Sequence, residues 1–176
     1  LRGDVAGYTL LPSVGEHRVF LYGRLQAQTG ASFPQDYIGF SRYDAIDLPL
    51  PGAVPITLGD TERVRGYREY VLGNRVAFGS VEYRIPFASS LQTEGLGLVG
   101  LGKTTLSLFL DGGVVWNDAD LRGGVQQLGT GVEVKNALRL FGVRIGHALG
   151  AAQPTTALGT RDDVQLYYRV QTALPF

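Results

Sequence analysis

The chain has 176 residues, which is enough for one domain and short for two. Its 16 Lys and Arg residues balance 16 Asp and Glu residues, so a formal net charge of +0 gives no basic field for binding nucleic acid. With 0 cysteines, thiolate catalysis, disulfides and cysteine-ligated metals are excluded. The chain also has 0 methionines and begins with Leu1, so we expect a processed or excised piece of a protein.

The glycine and charge contents indicate a β protein whose surface does not all face water. The chain has 25 glycines among its 176 residues, about twice the typical glycine content of roughly 7%. Only 18% of its residues are charged, whereas about 25% is typical. No segment has the run of about 18 apolar residues that a membrane-spanning helix needs. A mean hydropathy of +0.05 is typical of soluble proteins, but transmembrane barrels alternate apolar and polar residues and average to a similar value.

Apolar and polar residues alternate with a period of two in stretches of about ten residues, the length that a tilted membrane strand needs. The predicted strands, in chain order, are 4–11, 18–28, 75–87, 104–116, 128–138, 140–149 and 164–176. The connections are tight at 12–15 and 136–142, intermediate at 117–124, longer at 88–103 and 150–163, and longest at 29–73. Long outer loops and shorter periplasmic turns are typical of outer-membrane barrels.

The two faces of the predicted strands differ in a way that favours a membrane barrel over a soluble β-sandwich. The polar faces carry charges in mid-strand, at Arg24, Glu82, Arg84, Asp111, Glu133 and Arg144. The apolar faces end in aromatic residues, at Tyr83, Phe87, Trp116, Phe141 and Phe176. A lipid-facing aromatic belt with a watery lumen requires this distribution. We therefore predict an all-β fold, a transmembrane antiparallel up-and-down β-barrel, and the odd strand number predicts that preceding strands are missing.

Several short motifs occur in a characteristic order along the chain. The long loop contains Val64-Arg65-Gly66-Tyr67. The others, in order, are Gly73-Asn74 followed by Glu82-Tyr83-Arg84 and Pro86-Phe87, then Phe109-Leu110-Asp111-Gly112-Gly113 with Trp116, the run 128–134, and the terminal Phe176. This ordered set resembles the outer-membrane assembly factors of the BamA/TamA type, also called the bacterial surface antigen family. The resemblance covers nearly the whole chain, is strongest over 36–176, and corresponds to about the last seven or eight strands of the family's sixteen-stranded barrel.

The resemblance implies a specific role for the arginine of the loop motif. In the family this arginine folds back into the lumen and pairs with acidic residues of neighbouring strands. Carried over to this chain, the resemblance implies that Arg65 pairs mainly with Asp111 of the Phe109-Leu110-Asp111-Gly112-Gly113 motif. Glu82 is a second partner. Strand alternation independently places Glu82 and Asp111 on the lumen side.

The C-terminal run presents one apolar face that includes Tyr168, Val170, Leu174 and Phe176. By resemblance, this run is the signal through which the cell's assembly machinery recognises a nascent outer-membrane barrel. The same residues also suit an ordinary lipid-facing closing strand, and the two roles are compatible.

The resemblance implies that residues 1–176 form a single segment, the C-terminal half of a larger barrel, in the bacterial outer membrane. The expected function is non-enzymatic: inserting barrel proteins into the membrane, or moving polypeptides across it, through a weak seam between the first and last strands. The expected partners are the lipid bilayer, nascent barrels or secreted polypeptides, and periplasmic or lipoprotein partners. The family's periplasmic polypeptide-binding domains are absent from this chain, and no cofactor or metal is expected. A passive barrel or membrane anchor is the alternative.

A remote alternative is nucleotide binding, because residues 97–104 match the phosphate-loop pattern G-x-x-x-x-G-K-[ST]. Such a loop needs a helix after its Lys and Thr, whereas the residues from Thr104 alternate as a strand. The two histidines, His17 and His147, lie at strand ends without a second ligand or a nucleophile nearby in sequence, so we predict no catalytic or metal site there.

Overall fold

The computed structural model describes residues 2–29, 38–40, 46–48, 56–58, 64–67, 71–88, 99–117, 123–140, 143–156 and 164–171. These residues form twelve strands, namely β1 (Arg2–Pro12), β2 (Arg18–Gln28), β3 (Ile38–Phe40), β4 (Ile46–Leu48), β5 (Ile56–Leu58), β6 (Val71–Gly73), β7 (Arg75–Ala88), β8 (Val99–Leu101), β9 (Thr104–Trp116), β10 (Val125–Leu140), β11 (Val143–Thr156) and β12 (Gln165–Gln171). The described residues contain no helix that is long and apolar enough to cross a bilayer.

Seven long strands form one antiparallel sheet in the order β1-β2-β7-β9-β10-β11-β12, and the predicted all-β antiparallel fold is confirmed. At the far edge, β12 pairs in parallel with β5, and β5 pairs with β4. Strand β1 pairs with β2, and no described residue pairs with its other edge. The sheet is therefore open in the described part of the chain and is not closed into a barrel.

The predicted strand bounds agree best with those of the structure where polar and apolar residues alternate clearly. The bounds of β2 and β9 match those predicted, and β7 extends to Ala88. The predicted bend at 136–142 starts too early, because β10 continues to Leu140, which pairs with Val143 at the start of β11 and leaves a two-residue connection. Strand β11 also runs beyond its predicted end to Thr156. The last five residues of the predicted last strand, 172–176, lie outside the described residues.

Strands β8 and β9 lie along the same side of β10, separated by Gly102 and Lys103. Leu101 pairs with Leu138 and Thr105 with Lys135, a register shift of one residue. The Gly102 amide still donates to the Ala137 carbonyl at 2.6 Å. This geometry is that of a β-bulge, so the connection predicted at 88–103 ends in a strand that already pairs with β10.

The polarity of the two faces of the seven-stranded sheet is the reverse of that in a soluble protein: the inner face is polar and the outer face is apolar. The inner face, defined by Glu82, Asp111 and Glu133, buries polar and charged side chains, which are Gln26, Ser80, Glu82, Arg84, Ser107, Asp111, Gln127, Glu133 and Lys135. The outer face exposes large apolar side chains, including Leu25, Val81, Leu108, Leu110, Leu128, Val132, Val134, Leu149 and Leu166. Alternation predicted this division of the faces from sequence. The side chains of Phe87 and Arg144, and all of Phe141 and Phe176, lie outside the described part.

A row of four glycines crosses the outer face at one level. Gly7 pairs with Gly23, Gly23 with Gly79, and Gly79 with Gly112, in four successive strands. An added Cβ would meet no side chain within 4 Å at the first three positions. The row therefore leaves a line without side chains across β1, β2 and β7, and the Leu128 side chain borders its end at Gly112 of β9.

Candidate functional site

The loop motif at 64–67 forms a tight turn that packs against the inner face. Val64 is 0% exposed and packs with an apolar cluster formed by Ile38, Val71, Val76 and Val115, against which Tyr67 also lies. The Tyr67 amide donates to the Val64 carbonyl at 3.3 Å. Gly66 has φ of 100°, a left-handed conformation that residues with a Cβ rarely adopt. The motif's glycine therefore permits the turn that presents Arg65 to the sheet.

Tyr67 attaches the same turn to two further strands. Its hydroxyl donates to the Thr155 carbonyl of β11 at 2.7 Å and accepts from the Leu128 amide of β10 at 3.4 Å. Gly129, next to Leu128, approaches the turn so closely that an added Cβ would overlap the Arg65 carbonyl oxygen. Only glycine leaves room for the turn at this position of β10.

Arg65 binds Asp111 of β9 through three donors. Its Nε donates to Asp111 Oδ2 at 2.6 Å, its Nη2 donates to Oδ1 at 2.7 Å, and its backbone amide donates to Oδ2 at 3.1 Å. Ser80 of β7 donates its hydroxyl to Asp111 Oδ1 at 2.7 Å. Two parallel bonds from one guanidinium to one carboxylate combine strength with a fixed orientation.

The same guanidinium reaches carboxylates on two more strands. Its Nη1 donates to Glu82 Oε1 of β7 at 2.8 Å and to Glu133 Oε2 of β10 at 2.9 Å. The guanidinium carbon lies 3.5 Å from the centre of the Phe109 ring, a cation–π contact. Arg65 therefore joins one turn to three adjacent strands, and all of these charged side chains are buried.

Three further cations complete what we call the Arg65 cluster. Lys135 Nζ donates to Glu82 Oε2 at 2.6 Å, and Arg84 Nε donates to the same oxygen at 2.8 Å. Arg169 of β12 donates to Glu133 Oε1 from its Nε at 2.8 Å. The cluster thus has four cations (Arg65, Arg84, Lys135, Arg169) and three carboxylates (Glu82, Asp111, Glu133). Burying such charges is favourable only when each is paired and hydrogen-bonded, a condition that these contacts meet.

Two aromatic residues next to the cluster lie over glycines of the neighbouring strand. Phe109 pairs with Gly131, where an added Cβ would come within 2.8 Å of the ring. Tyr167 pairs with Gly150, where an added Cβ would overlap the ring. Phe109 and Tyr167 also share an apolar contact with Ala152. The small residues of β10 and β11 therefore make space for the rings and for the Arg65 turn.

The structure brings together most of the residues that the sequence singled out around Arg65. Val64, Gly66 and Tyr67 shape the turn, Asp111 and Glu82 pair with Arg65, and Phe109 lies beneath its guanidinium. Gly113 lies outside the cluster, paired with Gln127 and Phe78. Tyr168 and Val170 lie on β12 at half-buried outer-face positions, and Leu174 and Phe176 lie outside the described residues.

Sequence reasoning missed four members of the cluster as contacts of this site. These are Arg84 and Glu133, which alternation places on polar strand faces, and Lys135 and Arg169; none of the four is predicted to join the arginine network. Alternation gives the face of a residue, whereas its level along the sheet depends on register. The signal that could have found them is strand register: Ser107 pairs with both Arg84 and Glu133, and Ala148 pairs with both Lys135 and Arg169.

The remaining candidate motifs form no second site among the described residues. Thr104 begins β9, so the phosphate-loop pattern is followed by a strand and not by a helix. Lys103 instead donates to Glu16 Oε2 at 3.0 Å, and this bond lowers the pKa of Glu16 below its usual value. His17 Nδ1 lies 2.7 Å from the Tyr83 hydroxyl, in hydrogen-bonding contact. Within the described ranges, no three His, Asp or Glu side chains are grouped to hold a metal ion.

Comparison with known proteins found no matching family model, no matching curated sequence and no matching solved structure.

Proposed function

We propose that this chain is the β-barrel part of an outer-membrane assembly or translocation factor of the BamA/TamA type. Its function would be to insert barrel proteins into the bacterial outer membrane or to move polypeptides across it. Its partners would be the lipid bilayer and extended, unfolded polypeptide clients. No covalent chemistry is part of this proposal.

The contact of Arg65 with three carboxylates is the observation that carries the proposal. A loop arginine buried on the inner face of the sheet, bound to Asp111 and Glu82, is the arrangement that the resemblance implies. The turn is held by charge-assisted bonds to β7, β9 and β10 together. Such an anchor suits a loop whose position inside a barrel matters for function.

The inverted faces support the membrane location. Soluble monomers rarely expose contiguous apolar patches larger than a few hundred Å². Here the outer face carries exposed Leu and Val side chains on all seven strands of the sheet, for example Leu25, Val81, Leu110, Val132 and Leu149. An apolar exterior combined with a charged interior is the pattern of a transmembrane barrel.

The function can be tested by reconstituting the protein in phosphatidylcholine liposomes and adding a urea-unfolded eight-stranded outer-membrane barrel as the client. We expect the client to fold several-fold faster than in empty liposomes. We expect Arg65→Ala to lose most of this acceleration, because the turn loses its anchor. Arg18→Ala is the matched control, since Arg18 donates only to turn carbonyls such as that of His17 at 2.8 Å in its described contacts.

Equal client folding rates with and without the protein would contradict the proposal and favour a passive barrel or membrane anchor. In that case the Arg65 cluster would serve only to fill the inner face. Acceleration that Arg65→Ala leaves unchanged would retain the insertase function but remove Arg65 from it.

A further inference from the structure

One arginine lies on the otherwise uncharged outer face of the sheet. Arg75 begins β7, and alternation with the buried Val76 and Ser80 places it on the same face as Val81. Among the described outward positions of the seven long strands, it is the only Asp, Glu, Lys or Arg. Its guanidinium makes no hydrogen bond or ion pair with any other described residue. The described part of the chain therefore supplies no counter-charge to Arg75.

Arg75 lies where the apolar outer face ends on the side of the 29–73 segment. It pairs with Trp116 of β9 on one side and with Ala27 of β2 on the other. Arg75 and Trp116 are both half-buried. Tryptophan is enriched at membrane–water interfaces, and a long cationic side chain there keeps its charge among headgroups while its aliphatic part covers apolar surface. The two residues together therefore suit the headgroup level of a bilayer.

A groove in the outer face lies directly next to this level. Its volume is about 430 Å³, within the range of about 300–1,000 Å³ that is usual for ligand pockets. Its outward lining residues come from three adjacent strands and are Ala77, Gly79, Gly112, Val114, Gln126 and Leu128. Ala77 pairs with Val114, so the groove begins one outward position away from Arg75 and Trp116. The two glycines of the row, Gly79 and Gly112, leave the space that the groove occupies.

We propose that Arg75, Trp116 and this groove form a binding site for one lipid with an anionic phosphate headgroup. The guanidinium binds the headgroup phosphate through charge-assisted hydrogen bonds, and one acyl chain lies in the groove. Charge complementarity selects this occupant, because an uncharged apolar ligand would leave Arg75 unpaired and a soluble anion would leave the groove empty. The site rests on the proposed function for its membrane location, but it does not depend on the insertion of clients.

Quenching of Trp116 fluorescence tests this site, because the chain has a single tryptophan and it lies beside Arg75. The protein is reconstituted in phosphatidylcholine vesicles that contain a small fraction of one lipid with brominated acyl chains. The brominated lipid is either phosphatidylglycerol, which is anionic, or phosphatidylcholine, which has no net charge. The difference in quenching between the two probes gives the enrichment of the anionic lipid around Trp116.

Two substitutions remove the two parts of the site separately. Arg75→Gln removes the charge, and its control Arg18→Gln changes an arginine at the opposite end of the sheet. Gly79→Leu fills the groove, and its control Gly7→Leu makes the same change in the glycine row but outside the groove. An added Cβ meets nothing within 4 Å at Gly7 and only the Tyr22 carbonyl oxygen, at 3.9 Å, at Gly79.

We expect phosphatidylglycerol to be enriched about fivefold over phosphatidylcholine around Trp116, the effect of one cation beside an anionic lipid. Arg75→Gln and Gly79→Leu should each abolish this enrichment, and the two controls should retain it. Equal quenching by both probes in the original protein would overturn the site, as would enrichment that survives either Arg75→Gln or Gly79→Leu. Loss of enrichment on adding glycerol phosphate, which has the headgroup chemistry but no chains, would also overturn it.

Client folding tests the proposed function separately from this site. Arg75 makes no contact with the Arg65 cluster among the described residues, so Arg75→Gln should accelerate client folding as the original protein does. A protein that enriches the anionic lipid but does not accelerate client folding would contradict only the insertion function. A protein that accelerates client folding without enriching the lipid would contradict only the lipid site.

Discussion

The guanidinium of Arg65 makes contacts that a lysine ammonium in its place could not reproduce. Its planar group binds both oxygens of Asp111 while Nη1 also reaches Glu82 and Glu133. A lysine carries the same charge as a compact point without this fork geometry. The position therefore requires an arginine for its shape as well as for its charge.

Arg65→Lys should release the turn from the inner face. Breaking a buried ion pair costs roughly 3–5 kcal/mol, and access of water to the inner face would reduce this cost. We expect cleavage within 29–73 by chymotrypsin, which cuts after aromatic residues, to become at least tenfold faster. Asp111→Asn should have a smaller effect in the same direction, because the amide oxygen still accepts one bond.

The matched control for this measurement is Arg18→Lys, which lies outside the cluster. Far-ultraviolet circular dichroism should remain that of a β protein in all three variants. Equal cleavage rates for the original protein and for Arg65→Lys would show that the Arg65 contacts do not hold the segment.

At the scale of the elements, β11 shows why sequence pattern located some strands and not others. In β2 and β9 polar inward residues alternate with apolar outward ones, and their bounds are predicted correctly. In β11 the inward positions are Gly146, Ala148, Gly150 and Ala152, which are small and carry no polar contrast. Beyond Leu149 the outward positions are Ala151, Gln153 and Thr155, so the two faces no longer differ in polarity, the period of two disappears and the predicted strand ends too early.

Register is the other quantity that local pattern does not supply. The parallel pairing of β5 with β12 joins positions more than a hundred residues apart, and three-residue strands carry too little sequence for a period to be recognised. The contacts of Arg65 with Asp111 and Glu82 were predicted because the motif resemblance carried long-range information. The contact with Glu133 followed from the pairing of β9 with β10 and was missed.

The fit between β11 and β12 leads to a prediction about Gly150. Gly150→Ala places a Cβ against the Tyr167 ring, which must move away from its buried position. Overpacking of this kind typically costs about 1–3 kcal/mol. We expect that loss in the free energy of unfolding, measured by urea titration in detergent, and partial recovery when Tyr167→Leu is added.

Gly7→Ala provides the control for Gly150→Ala, because an added Cβ at Gly7 meets nothing within 4 Å. Its unfolding free energy should stay within about 0.5 kcal/mol of the original protein. If Gly7→Ala and Gly150→Ala destabilise equally, the effect is a general one of alanine in strands and not of the Tyr167 contact.

At the scale of the whole molecule, the decisive property is the inversion of its two faces. The inner face holds the charges of the Arg65 cluster, and the outer face holds most of the exposed Leu and Val side chains. Trp116 is the single tryptophan and lies at the end of β9, at a position in phase with the outward residues Leu108 and Leu110. It therefore reports on the surroundings of the outer face.

We expect Trp116 fluorescence to be quenched strongly when the protein is reconstituted in lipids with brominated acyl chains. The control is Trp116→Phe combined with Val14→Trp, which moves the tryptophan to the β1–β2 turn, where Val14 is 78% exposed. Acyl-chain bromine should quench that tryptophan much less. Equal quenching at both positions, or none at Trp116, would contradict contact between the outer face and the hydrocarbon interior.

The glycine row formed by Gly7, Gly23, Gly79 and Gly112 affects the mechanical stiffness of the sheet. Cross-strand side-chain pairs reinforce neighbouring strands, and this line has none on its outer side, so backbone hydrogen bonds alone join the four strands there. The line lies one residue from Ser80 and Asp111. The sheet beside the residues that bind Arg65 is therefore stiffened by fewer cross-strand contacts, and a change in curvature there would alter the spacing between the carboxylates that hold the turn.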